Sequence, residues 1–297
     1  MRGRRRFRTA VAAATAALLC AGASAGCSSG APERAAPSRT ATPAPVPTPT
    51  SLWDTSPASV AAVGDSLTRA FDACSLLADC PEASWATGTD PGVNSLALRL
   101  LGPERVAGHS WNLARTGARM AELPEQMAAA AARKPELVTV LMGANDACRP
   151  TPDLMTPVAD FRASFASALA RLRAGAPKAQ VYVASVPDLK RLWATGRLDA
   201  AGLRIWELGV CGSMLADAAD LGPAAERRRA TVSERVVAYN GALAEVCAGD
   251  ERCRYDGGAV HGFRFGAGQL SPWDRFHPSR DGQARLAELA YRRITER

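Results

Sequence analysis

The sequence predicts an α/β fold, with a parallel sheet covered by helices on both faces. Two observations lead there. Short apolar runs alternate with longer segments of helical spacing, which argues for a parallel sheet covered on both faces. The polar residues with chemical potential follow the runs directly, at the end of the sheet where such folds bind ligands.

In chain order, residues 59–63 read as a buried strand ending at Gly64. Residues 105–113 are expected as a second strand, 137–142 (LVTVLM) as a third, and 180–186 (QVYVASV) as a fourth closed by Pro187. Between them, 122–133 and 159–174 have the spacing and Ala-rich composition of helices, and 224–248 and 280–295 follow as further helices. Strands alternating with helices imply parallel neighbours. No internal repeat is visible.

The first eight residues carry five Arg and no acid, and 10–23 form a short apolar run followed by small residues. This is the pattern of an export signal over 1–26. The run is shorter than the ~20 residues of a membrane span. Two cut sites compete: Ala23-Ser24-Ala25, and Ser24-Ala25-Gly26-Cys27, which resembles a bacterial lipobox and would leave Cys27 as a lipid-bearing first residue. The Pro-, Ala- and Thr-rich stretch 27–55 reads as an extended tether, because it has too little apolar surface to offset the entropy of ordering. The remaining 56–297 are long enough for one core and one domain.

The net charge of +7 is misleading, since the five Arg of the signal account for most of it and +2 remains. Nothing here favours a nucleic-acid partner. Of the eight Cys, Cys20 leaves with the signal. Lipidation of Cys27 leaves six, which in an exported chain predict three disulfides. Sequential pairing (Cys74–Cys80, Cys148–Cys211, Cys247–Cys253) is expected, since two of the pairs close short loops. A zinc site is the alternative, disfavoured because no paired C-x-x-C is present.

Gly64-Asp65-Ser66-Leu67 places a hydroxyl where a strand gives way to a helix, near the positive end of that helix. By itself, an N-cap or turn serine is the commoner fate of such a segment. A serine nucleophile needs a base, and there are only three His. His109 falls inside the expected second strand, where a packing role suits it. His261, in a Gly-rich loop, is a rival. His277 stands just before the last helix, with Asp274 three residues earlier on the same loop, able to fix the imidazole tautomer. Donors for an oxyanion are available in the Ser66 N–H, the Gly117 N–H and the Asn145 side-chain amide.

Four ordered blocks, GDSL with Ser66, NLARTG with Gly117, GAND with Asn145 and DRFH with Asp274 and His277, together resemble the SGNH (GDSL) hydrolase family. The resemblance implies a three-layer α/β/α sandwich related to flavodoxin-like sheets. It also implies a serine esterase with Ser66, Asp274 and His277 as its triad and Ser66, Gly117 and Asn145 as its oxyanion hole. Such chemistry needs no metal or organic cofactor. Residues 80–98 and Asn145-Asp146-Ala147-Cys148 are similar to the phospholipase B-like branch, which implies a lipid or lysophospholipid ester as substrate. Trp85 is then a candidate lining of the acyl entrance, or ordinary core. The expected partner is a small-molecule or lipid ester and the expected state a monomer, exported and held at the membrane through Cys27 or freely secreted. A carbohydrate O-acetyl esterase of the same fold and a non-catalytic surface-binding domain are the rival readings.

Overall fold

The computed structural model describes residues 52–296. The expected export signal, most of the tether and the lipidation site Cys27 lie outside the described residues. Five strands form one sheet: β1 (Val60–Gly64), β2 (Ser110–Asn112), β3 (Leu137–Leu141), β4 (Gln180–Val183) and β5 (Cys253–Tyr255). Their spatial order is β2-β1-β3-β4-β5 and every pairing is parallel. Val60 faces Ser110 on one side and Leu137 on the other, so β1 is central. All residues of β1, β3 and β4 are buried, as a sheet covered on both faces requires.

The helices form two packed groups. Leu123–Arg133, Val158–Gly175 and Pro223–Ala248 pack in sequence, while Leu96–Leu101 lies against Pro103–His109 and Arg280–Thr295. The result is the expected α/β/α sandwich. The chain leaves β1 towards β2 and then returns past it to β3. That reversal opens a crevice beyond the carboxyl ends of β1 and β3. Ser66 and Asn145 follow those two strand ends.

Four expectations need correction. The second strand is not 105–113 but the three residues Ser110–Asn112. Gly102 (φ 77) and Pro103 at the first helical position start a helix that runs through His109. His109 is therefore exposed at a helix end, its Nδ1 3.1 Å from the Arg105 carbonyl, and has no packing role. Trp53, read as part of the tether, is packed on the domain, with its indole N–H donating to the Ile294 carbonyl and Arg254 over its ring. Trp85 is 1% exposed and meets Tyr182 edge-on at 6.4 Å, so it belongs to the core and lines no entrance.

Among the described residues, three disulfides join Cys74–Cys80, Cys148–Cys211 and Cys247–Cys253. The second ties the turn after β3 to a long excursion between β4 and the helix Pro223–Ala248. That excursion holds three short helices, Leu189–Gly196, Ala200–Trp206 and Gly212–Leu215. Sequence periodicity missed them because none exceeds eight residues.

Candidate active site

The turn after β1 begins with Gly64, whose φ of 148° and close neighbours leave no alternative residue. A Cβ there would press on the Leu141 carbonyl and meet the Thr68 hydroxyl at 2.7 Å. The buried Gln126 side chain clamps this glycine from the adjacent helix. Its Oε1 accepts the Gly64 N–H at 2.8 Å and its Nε2 donates to the Gly64 carbonyl at 2.9 Å. Asp65 then caps the short helix Ser66–Arg69, its Oδ1 accepting the Leu67 N–H at 3.0 Å. Ser66 falls at the first helical position, where an N–H has no partner inside the helix. Burial pushes the Asp65 carboxyl up to about 7, against the opposing pull of the Leu67 N–H and His277.

The second arm arrives from the loop before the helix Arg280–Thr295. Ser271 and His277 close that loop through a 2.7 Å bond from the Ser271 N–H to the His277 carbonyl, and Leu270 bridges Pro278. Asp274 Oδ1 accepts two backbone N–H groups, from Phe276 at 2.9 Å and His277 at 3.0 Å. Its Oδ2 lies 2.5 Å from His277 Nδ1. A carboxylate can only accept, so Nδ1 carries the proton and Nε2 is left as an acceptor. Nε2 lies 2.9 Å from Ser66 Oγ, across 211 residues of sequence. Ser66, His277 and Asp274 thus form one unbroken hydrogen-bonded line.

The electrostatics fit that line. Burial alone would raise the Asp274 carboxyl, but His277 and the two backbone N–H groups hold it below its ordinary value. Burial alone would lower the His277 imidazole, yet the charges of Asp274, Asp72 and Asp65 raise it. From behind, the Trp206 indole N–H donates to the Asp274 carbonyl at 2.7 Å. Gly196 lets the helix before it pass under this loop, since a Cβ there would meet the Trp206 ring at 2.6 Å.

The remaining expected residues stand on the neighbouring strand ends. The chain beyond β2 stays tied to β1 through bonds from Leu113 N–H to the Ala62 carbonyl and from Arg115 N–H to the Gly64 carbonyl. Gly117 follows with φ 81, and a Cβ on it would meet nothing within 4 Å. Asn145 sits in the turn Ala144–Ala147 directly after β3, and its Nδ2 donates to the Ala118 carbonyl at 3.0 Å. That bond fixes the plane of the amide beside Gly117. Asp146 pins the same loop, accepting the Met120 N–H at 2.9 Å.

His261 is not part of this assembly. Its Nδ1–H donates to the Val186 carbonyl at 3.0 Å and its backbone N–H to Ser185 Oγ, which bonds Asp256 at 2.8 Å. It braces the loops after β4 and β5. Among the described residues, two groups of donors lie close enough to hold a cation, and of these Cys74, Cys80 and Glu82 are spent through the disulfide. The other, Asp72, Asp274 and His277, already contains the hydrogen-bonded pair. Sequence reasoning missed Gln126, Trp206, Phe71 and Asp72. Phe71 lies against the His277 ring with centroids 5.1 Å apart.

Beside the loop of Asp274, an open groove of about 430 Å³ is lined by Leu76, Ala200, Ala201, Arg204, Ile205, Pro272 and Trp273. It is mostly apolar, and Leu76 and Trp273 are half-exposed on its rim.

An α/β sandwich that aligns serine, histidine and aspartate at a strand-order reversal has the geometry of a serine hydrolase. Residues 60–290 match the family described as GDSL-like lipase/acylhydrolase, and the chain belongs to that family. It is a carboxylic ester hydrolase. No curated protein matches the chain. Among solved structures it is similar to an extracellular lipase from Streptomyces rimosus, with 18% identity over 78% of this chain and 97% of the other (TM-score 0.45). It is also similar to phospholipase A1 from Streptomyces albidoflavus, with 18% identity over 79% and 98% (TM-score 0.43). A family two carbohydrate esterase from Clostridium thermocellum is similar at 15% identity over 80% and 62% (TM-score 0.42).

Proposed function

We propose that Ser66, His277 and Asp274 are the catalytic triad of this esterase and that it cleaves acyl esters of lipids, lysophospholipids among them, through an acyl-enzyme. The observation that carries the triad is the line of bonds from Ser66 Oγ to His277 Nε2 and from Nδ1 to Asp274. Ser66 Oγ attacks the ester carbonyl as its proton passes to Nε2. The oxyanion is held by the N–H groups of Ser66 and Gly117 and by the Asn145 amide, each donor worth about 3 kcal/mol of barrier. When the carbon–oxygen bond to the alcohol breaks, the Nε2 proton goes to the leaving oxygen. Water repeats the sequence on the acyl-enzyme, releases the acid and restores the serine. Asp274 holds the tautomer throughout and takes no proton.

With Trp85 in the core, the lipid reading draws its support from the apolar groove beside the triad loop. Arg204 apart, its lining is apolar, which suits an acyl chain better than a sugar that calls for several hydrogen-bonding side chains. The basic, then apolar, then small-residue start of the chain supports export, with attachment through a lipidated Cys27. Ser66→Ala is expected to abolish both hydrolysis of a short p-nitrophenyl ester and labelling by a fluorophosphonate. Retained labelling in that variant removes Ser66 from the site. Rates on long-chain lysophospholipid against acetylated sugar separate the lipid reading from an O-acetyl esterase. Faster turnover of the sugar ester overturns the lipid assignment.

A further inference from the structure

The mechanism leaves Asp72, a buried acid beside the imidazole, without a task. Asp72 is 1% exposed and opens the loop that Cys74–Cys80 closes. Its position is over-determined. The backbone N–H donates to the Ala78 carbonyl at 2.9 Å, the carbonyl accepts the Ser271 hydroxyl at 2.7 Å, and Oδ1 accepts the Leu77 N–H at 2.5 Å. Ser271 belongs to the loop that carries Asp274 and His277, so Asp72 is anchored to the triad's own backbone. Its second oxygen, Oδ2, is buried without a hydrogen-bond partner among the described residues. Ligating atoms of Asp72, Asp274 and His277 all lie within 4.8 Å of one another.

A carboxylate is a costly choice for such a place. Capping the Leu77 N–H needs only a side-chain oxygen, which Asn supplies without a buried charge. The φ of 57° at this position suits Asn equally well. The charge therefore calls for an account apart from the cap, and the group it faces is the imidazole. Building on the triad proposed above, we infer that Asp72 is a positioning acid for His277, stabilising the imidazolium formed when Ser66 passes its proton to Nε2. Asp72 accepts no proton in the step, and Nδ1–H stays with Asp274.

The charged groups that act on His277 are Asp274 on its own loop, Asp65 from the nucleophile turn, and Asp72; the rings of Phe71 and Phe276 are neutral. Asp72 in turn is faced by Asp274 and His277. Burial and the Asp274 charge raise the Asp72 carboxyl, while Asp274 itself is held low. As pH falls, Asp72 is thus the first of the two to take a proton.

The test is the pH profile of kcat/KM for Asp72→Asn, which keeps the cap and removes the charge. The base must be neutral to work, and removing a nearby anion lowers its pKa. The acid limb should therefore move to lower pH, by about one unit for a charge some 5 Å away under partial screening. The plateau should fall several-fold. An acid limb that stays in place overturns the inference and leaves Asp72 as a loop cap, whatever happens to KM or stability. Should Asp72→Asn fail to fold, Asp72→Gly, which accepts the positive φ, carries the same two outcomes. Fluorophosphonate labelling of the parent protein separates the two levels. Without labelling, the triad reading itself falls; with labelling and an unmoved limb, only the role of Asp72 falls.

Discussion

Replacing Asp274 by Asn changes one charge and reverses one hydrogen bond at almost constant volume. In the parent protein, Oδ1 receives N–H groups from Phe276 and His277 at 2.9 and 3.0 Å. An amide placed here must turn its oxygen towards those two donors, because its NH₂ would meet them head-on. The NH₂ then faces Nδ1, where the carboxylate had stood at 2.5 Å. Nδ1 must become an acceptor, and the ring proton moves to Nε2. A ring in that tautomer presents N–H to Ser66 Oγ, 2.9 Å away, and cannot take the hydroxyl proton. The analogous substitution in serine proteases lowers kcat about 10⁴-fold, close to 5.5 kcal/mol of barrier. The same loss is expected here, because both oxygens of Asp274 are committed in the same sense. Turnover of a p-nitrophenyl ester near neutral pH measures it, with circular dichroism to verify the fold. A kcat within tenfold of the parent would refute the assignment of tautomer control to Asp274.

Two further outcomes follow from the same geometry. Asn145→Ala should lower kcat by about 10²–10³ with little change in KM, since an oxyanion donor acts chiefly in the transition state; a raised KM with kcat intact would place Asn145 outside the hole. Among the disulfides, Cys148–Cys211 spans 63 residues and Cys247–Cys253 only 6. On loop-closure entropy, Ser replacements of the first pair should cost about 4 kcal/mol and of the second about 2 kcal/mol. Urea midpoints check the order, and equal losses would contradict the entropic account.

Much of this site was readable before any coordinates. Asp274 and His277 are three residues apart on one loop, so their contact is nearly a local property. Gly64 and Asn145 follow apolar runs that read as buried strands, and a parallel sheet brings such strand ends together. The pairing of Ser66 with His277 was legible only through the ordered set of four blocks. Gln126 was not legible, because one amide in an Ala-rich helix carries no local sign that it clamps a glycine 62 residues away. Asp72 was hidden likewise, since its meaning lies in Ser271 and His277 rather than in its neighbours. The second strand was over-extended because Val106, Trp111 and Leu113 look strand-like until Pro103 is seen to open a helix. Trp85 misled for another reason: a large aromatic near a motif has the same letter whether it faces substrate or core.

The long excursion after β4 has an evolutionary consequence. The reacting groups sit on tight turns fixed by the sheet, whereas the groove beside them borrows part of its wall from Ala200, Ala201 and Ile205 on the excursion. On the proposed lipid reading, substrate preference can therefore drift through insertions and exchanges in this stretch while Ser66 stays put. Two anchors bound that freedom: the Trp206 indole on the Asp274 carbonyl and the Cys148–Cys211 bridge. Remodelling for new esters belongs in the connections flanking those anchors, where the chain can lengthen without pulling on the acid of the triad.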